Sequence, residues 1–453
     1  MLTRIEVDGF KNLIAFSAEF GAFTCIAGPN AVGKSNLFDA IELLSALARH
    51  PLAEAGSQVR ARSGTHETSR ALFWSDGDGY AERIRIAVEM IAGGLVSDEL
   101  GRWGKEPNAL MRYEIELRYE GELRLVNERL AVLGSSKELQ FPHHPSFASA
   151  LVEDRDERVI YDLAAGVMPR GGPAADPGAM RATLLSHYQT MEHADILVAG
   201  ETIRSWRRLT LDPDALRAPY KFESPSPVRG SLQLPRAWAR LSNPWGLSDS
   251  PGPDSDAISA EIVAKLAPIA SLRSIWVEED KELGRLTLRA RSSSGEQLSA
   301  RELSDGTLRY LALIVLGMMP GSLRCIEEPE NGIHPRRIAE LAELLCGLAT
   351  DFDQDITQEL SALDRHDELP LRQLIINTHS PELVREIHEH APDDLLMAST
   401  ALTSGPDGRE ARALRLHPLR GTWRCRPGVR GVSLPLYSYI PPASLGVSAA
   451  EDS

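Results

Sequence analysis

Cysteine is scarce in this chain. Its 453 residues hold four, Cys25, Cys325, Cys346 and Cys425, with no Cys-x-x-Cys pair, a spacing that argues against a disulfide framework or a thiolate metal knuckle. Long apolar runs are missing too. The longest, Leu311–Met319, covers nine residues, under half of the ~20 that cross a bilayer, so no transmembrane span and no membrane partner are expected. Residues Met1–Leu13 carry charges where a signal peptide needs an unbroken apolar stretch, and a cytoplasmic chain is expected. Positive charge is in deficit: 49 Lys plus Arg stand against 64 Asp plus Glu, a formal net charge of −15. Such a field repels polyanions unless a local basic patch overrides it. What remains, 43% hydrophobic and 25% charged, is the balance of a globular protein long enough for about three domain-sized units.

Periodicity divides the chain into four parts. Residues 1–134 read as a strand-rich lobe with one strong helix. Leu2–Val7 alternates, Ala22–Ala27 is a continuous apolar strand, and Lys34–Leu47 carries Leu37, Phe38, Ile41 and Leu44 at helical spacing. Arg83–Val88, Tyr113–Tyr119 and Leu123–Leu130 add antiparallel strands. Residues 135–255 form a Pro/Gly-rich insertion, expected to be partly a helical lid: 13 of the 29 prolines lie between 141 and 255. One helical segment, Ala182–Arg208, survives inside it. Residues 256–400 make a second lobe of alternating strands and helices, which implies a parallel or mixed sheet. Its elements are the helix Asp256–Ala270, strands Leu272–Val277 and Arg285–Arg289, helix Leu308–Met319, strand Leu323–Ile326, helix Pro335–Leu348 and strand Leu371–Asn377. Asp351–Glu368 reads as an acidic solvated loop. Residues 401–453 form a basic tail, frayed from Pro441.

Four short stretches carry chemistry. Gly28-Pro-Asn-Ala-Val-Gly33-Lys34-Ser35 fits G-x-x-x-x-G-K-[ST], directly after an apolar strand and opening a helix. The glycines let the backbone wrap a phosphate, Lys34 reaches its oxygens, and Ser35 Oγ is a Mg²⁺ ligand. Almost 300 residues later, Leu323–Ile326 ends in Glu327-Glu328-Pro329-Glu330. One carboxylate at the strand end can hold a Mg²⁺ water shell while its neighbour orients the attacking water; a charged strand-to-loop turn is the plainer reading. Leu303-Ser304-Asp305-Gly306-Thr307 opens a helix, either as an anion site or as an ordinary Ser N-cap. Thr378-His379-Ser380-Pro381 follows a strand, where a lone histidine is more often structural.

In this order the four stretches resemble the ATP-binding-cassette class of ATPase, in the branch of RecF, SMC-type proteins and OLD-family nucleases. Ile5-Glu-Val-Asp-Gly-Phe-Lys-Asn-Leu13 looks like that branch's first strand and Phe-Lys turn. Gly28–Asn36 resembles its Walker A, Leu303–Thr307 its signature, Cys325–Pro335 its Walker B and D-loop, and Asn377–Pro381 its switch histidine. The resemblance covers about residues 1–130 and 270–400. It implies an α/β P-loop NTPase fold like the RecF/SMC head, with a mixed sheet and an inserted lid region.

It also implies roles. Gly28, Pro29, Asn30, Ala31, Val32, Gly33, Lys34, Ser35 and Asn36 would cradle ATP, with Lys11 or Asn12 at the nucleotide's edge. Ser35 and Glu327 would hold Mg²⁺, Glu327 replacing the usual Asp. Glu328 would be the catalytic carboxylate, assisted by Lys34, and His379 would contact the γ-phosphate. Ser304 and Gly306 would grip the γ-phosphate of an opposite subunit, with Asn331–His334 near that interface, giving a homodimer that closes on ATP. For the glutamine loop, Gln140 and Gln189 qualify by position only.

The proline density excludes the long heptad arms of SMC-type proteins, and 74 residues after His379 are too few for a Toprim nuclease domain. The insertion and the signature disfavour a transporter cassette. The expectation is an ATPase that switches a protein effector, in phage defence or a related DNA-linked process. The alternatives are a RecF-like DNA-repair ATPase and a nucleotide-gated scaffold. For DNA, the candidate surface is Arg409–Arg430, with seven arginines, His417 and Trp423 against Glu410. Arg204-Ser-Trp206-Arg207-Arg208 is a smaller one. A solvent-facing last strand explains Arg412, Arg415 and His417 equally well.

Overall fold

The computed structural model describes residues 1–59, 69–133, 159–167, 176–222, 230–242, 255–319, 323–350, 371–405, 408–425 and 431–434. Asp351–Glu368, Gln140, Arg426, Arg430 and the segment from Pro441 lie outside them. No described helix is long and apolar enough to cross a membrane.

A six-stranded sheet runs through the centre in the order Glu410–Pro418, Leu395–Ser404, Phe23–Ala27, Gln373–Thr378, Leu323–Glu327 and Arg207–Leu209. All pairs are parallel except the antiparallel edge between Leu395–Ser404 and Glu410–Pro418. Phe23–Ala27 and Gln373–Thr378 are buried at every position, the pattern of strands covered on both faces. Alternation sends Ile26, Ile375 and Cys325 to one core, and Phe23, Cys25 and Ile376 to the other.

The first core holds the helix Lys34–Leu47, which is buried on most of its circumference. It lies between the central sheet and a second, antiparallel sheet. That sheet has the order Phe16–Glu19, Leu2–Asp8, Arg83–Ser97, Trp103–Tyr119, Leu123–Val132 and Val159–Asp162. The strands foreseen around Arg83, Tyr113 and Leu123 are therefore real but longer. The second core gathers the helices Leu234–Ser242, Ser255–Leu266, Asp305–Met318, Ile338–Gly347 and Pro381–His390 on the other face. A small sheet, with Arg285–Ser292 between Leu272–Asp280 and Gln297–Ser299, packs beside them.

Two expectations change. The helix foreseen over Ala182–Arg208 is a single turn, Leu184–His187, then the helix Ala194–Ser205 and the strand Arg207–Leu209. Ile196, Leu197, Val198, Ala199 and Ile203 are fully buried against the first core, and Arg207–Leu209 pairs with Leu323–Glu327. This stretch is built into the core. Residues 401–453, foreseen as a basic tail, begin within the strand Leu395–Ser404 and continue as the outer strand Glu410–Pro418 of the central sheet. Smaller shifts follow capping chemistry: the helix foreseen from Leu308 starts at Asp305 because Ser304 Oγ accepts the Thr307 N–H, and Pro335–Arg337 forms a separate 3₁₀ turn ahead of Ile338–Gly347.

Candidate active site

Parallel strands place three loops together. Thr378 stands opposite Ala27 in the register, and Glu327 opposite Asn377. The loop Gly28–Gly33, the turn Glu327–Glu330 and His379 therefore all leave the carboxyl ends of neighbouring strands, where open α/β sheets gather ligands.

Ala31 and Gly33 adopt positive φ (67° and 98°), curling the first loop into the helix Lys34–Leu47. Lys34 is 6% exposed, and its Nζ donates to Gly28 O at 2.5 Å and Pro29 O at 2.7 Å, so the ammonium sits inside the loop. Burial lowers the Lys34 pKa, while Glu328 and Glu330 act to raise it. Asn12 braces the loop from outside: its Nδ2 donates to Val32 O at 2.9 Å and its Oδ1 accepts from Asn36 Nδ2 at 2.7 Å. A methyl group on Gly33 would stand 2.1 Å from Asn12. Lys11, expected at the nucleotide's edge, donates to buried Asp39 at 2.7 Å. Asn12 bonds to the loop directly through Val32 and Asn36.

Glu328 occupies left-handed backbone space with φ 45°, sparsely populated by residues other than glycine. Its N–H donates to Asn377 O at 3.0 Å and to Asn377 Oδ1 at 3.2 Å. Its carboxylate is held from both sides, by Asn331 Nδ2 at 2.7 Å and by His379 Nδ1 at 2.9 Å. Glu327 Oε1 accepts from Arg208 Nη2 at 3.1 Å. Glu330, 7% exposed, accepts from the Thr378 hydroxyl, and burial raises its pKa. Sequence reasoning assigned no role to Glu330; its place two residues after a catalytic-type pair was the available signal.

Ser304 and Gly306 lie elsewhere. Among the described residues neither bonds to residues 28–36. Gly306 is packed so closely on Gly332 O that an added Cβ would stand 2.6 Å away. With Ile269, His334, Arg336 and Arg337 they line an open cavity of about 590 Å³. A bonded chain still connects the two places, because Arg309 of the helix Asp305–Met318 donates to Asn331 O, and Asn331 holds Glu328. Gln189 spends its amide on Ser186 O at 2.7 Å, away from these loops.

Several arginines of the foreseen basic surfaces bond within the fold, while Arg412 and Arg420 are exposed. Arg204 donates to Ala48 O and Leu185 O, and Arg208 lies among carboxylates. Arg409 pairs with Asp76 at 2.7 Å, Arg415 donates to Ile14 O at 2.9 Å, and Arg424 is 4% exposed and bonded to Glu19 O, Asp393 O and Thr24.

The chain is similar to several known proteins. The profile of the family described as "AAA domain, putative AbiEii toxin, Type IV TA system" matches residues 23–91 and 214–385, together just over half of the chain. A 77-residue stretch is 48% identical to the DNA replication and repair protein RecF of Acaryochloris marina (strain MBIC 11017). That stretch is 17% of this chain and 21% of that relative. Among solved structures, an SMC head bound to the C-winged helix domain of ScpA aligns over 92% of this chain and 98% of its own, at 15% identity and TM-score 0.46. The SMC head domain from Thermotoga maritima aligns over the same shares at 12% identity and TM-score 0.39.

Proposed function

The chain belongs to the family "AAA domain, putative AbiEii toxin, Type IV TA system", in the RecF/SMC branch of ABC-class ATPases, and from that premise we propose that it hydrolyses ATP and uses the cycle to switch a partner. The observation that carries the reading is Glu328, held at φ 45° between Asn331 and His379 beside a phosphate loop whose lysine is already turned inward. Strained backbone at such a point marks a site where geometry is fixed for chemistry.

The residues fit the nucleotide and its metal. The loop 28–36 presents backbone N–H groups and Lys34 to phosphates, and Ser35 and Glu327 supply hard oxygen donors for Mg²⁺. Mg²⁺ characteristically takes most of its ligands from phosphates and water, with one or two from protein side chains. Bound Mg²⁺ supplies charge neutralisation at the phosphates. Glu328 accepts a proton from the attacking water. His379 gives its Nδ1–H to Glu328, and a contact from Nε2 to the γ-phosphate requires a proton on that nitrogen as well, since phosphate oxygens only accept. Ser304, with the N–H groups opening its helix, meets the γ-phosphate of a second copy, so ATP joins two chains and hydrolysis releases them.

The role is that of a cytoplasmic ATPase paired with a protein effector, as in toxin–antitoxin or phage-defence systems; the family description supports it. A RecF-like DNA-repair role is the second reading, favoured by the stretch shared with RecF. Steady-state ATP hydrolysis by the purified chain, with and without linear duplex DNA and with Glu328→Gln as blank, tests both. DNA-indifferent activity is expected. Strong stimulation by DNA selects the repair reading, and no activity above the blank even with the partner present removes the ATPase assignment.

A further inference from the structure

Arg208 precedes the stretch 214–385 matched by the family profile, and sequence alone places it in a surface basic patch. Its side chain is 12% exposed and enclosed by three carboxylates. Nη1 donates to Asp39 Oδ1 at 2.8 Å and Glu42 Oε2 at 3.2 Å, and Nη2 donates to Glu327 Oε1 at 3.1 Å. Asp39 and Glu42 follow Ser35 by four and seven residues on the helix Lys34–Leu47, a spacing that stacks all three on one face. Arg208 itself pairs with Cys325, two residues before Glu327, on the adjoining strand.

The two oxygen donors expected to face Mg²⁺, Ser35 and Glu327, thus belong to separate elements, and one planar guanidinium spans the gap between those elements. We infer that Arg208 is a positioning residue for Mg²⁺–nucleotide binding, fixing the Glu327 carboxylate at a set distance from the helix that carries Ser35. The inference rests on the ATPase reading above. A glutamate in place of aspartate adds one rotatable bond between the strand and its carboxylate. A fork with two fixed donor directions removes that freedom, which an ammonium on a flexible stem does not. The same fork keeps Asp39, Glu42 and Glu327 from repelling one another.

A purely structural role and a positioning role separate on Mg²⁺ dependence. Binding of a fluorescent ATP analogue is measured in EDTA and across a Mg²⁺ titration for wild type, Arg208→Gln and Arg208→Lys. In Arg208→Gln the affinity in EDTA stays within about twofold, while the Mg²⁺ concentration at half-effect rises about tenfold or more, the range for groups that orient a metal ligand. Arg208→Lys falls between, because a point charge serves one carboxylate at a time. In a Glu327→Asp background the Arg208→Gln shift shrinks, since the shorter side chain needs less holding. An unchanged Mg²⁺ midpoint, or equal losses with and without Mg²⁺, overturns the inference; if Arg208→Gln fails to fold, Arg208→Lys decides it on the same readings. A wild-type chain that binds no nucleotide in either condition removes the ATPase reading itself, and the inference with it.

Discussion

His379 Nδ1 lies 2.9 Å from Glu328 Oε1, so the residue after one strand end steers the carboxylate at the end of the next. Asn331 holds the other carboxylate oxygen at 2.7 Å. The pair therefore presents a carboxylate whose rotation is fixed before any water arrives, a condition for efficient proton abstraction.

Replacing Glu328 with Gln keeps the shape and removes the proposed base. ATP binding is expected to persist while turnover falls by about 100-fold or more. With hydrolysis blocked, the proposed ATP-joined pair of chains is expected to accumulate. Light scattering with saturating ATP checks this: a variant that stays monomeric contradicts the head-to-tail arrangement, whatever its ATP affinity.

Gly33 and Asn12 are coupled by contact. Gly33→Ala meets two obstacles, a φ of 98° and a methyl group 2.1 Å from Asn12, and should weaken nucleotide binding by about tenfold or more. Asn12→Ala removes two hydrogen bonds to the loop and should cost about 1–2 kcal/mol of binding. In the double variant the collision disappears but the φ penalty stays, so the losses are less than additive. Calorimetric titration of the three variants measures this, and strict additivity would show that the contact is immaterial.

Much of the site was legible in the sequence because its geometry is local. A glycine loop between an apolar strand and a helix can fold few ways, and acids that follow an apolar strand directly are carried to its end. The placement of Arg208 was not legible. Arg204-Ser-Trp-Arg-Arg208 reads as a surface patch in isolation, and only pairing with Leu323–Glu327 buries it among Asp39, Glu42 and Glu327. Asn12 was named from the sequence beside Lys11, but its contacts to Val32 and Asn36 were not legible, since they span 20 and 24 residues. Long-range partners of polar side chains leave no periodic trace.

The arginines of 409–430 separate into two kinds. Arg424 is buried, its pKa pulled down to about 10, and it ties the C-terminal segment to Glu19, Thr24 and Asp393. Arg424→Met should destabilise the fold by about 2–4 kcal/mol, because three acceptors lose their donor. Arg412 is exposed on the outer strand, and Arg412→Gln should leave stability within about 0.5 kcal/mol. Urea unfolding distinguishes them. Equal, small effects would mean that Arg424 is not holding the segment.

Glu128 should make stability depend on pH in the direction opposite to that of a salt-bridged carboxylate. It is fully buried, accepting from Tyr113 Oη and Leu184 N at 2.8 Å each, and burial raises its pKa to about 7 against 4.5 in the open chain. The folded state therefore holds this proton more tightly than the unfolded state. The stabilisation is complete below pH ~4.5 and is lost as pH climbs through ~7. Glu128→Gln removes the titration while keeping the shape, its amide able to donate to Tyr113 and accept from Leu184. Between pH 5 and 8 the wild type should lose about 2–3 kcal/mol relative to this variant. Parallel urea midpoints across that range would show that Glu128 stays ionised in the folded protein, with its two donors outweighing the cost of burial.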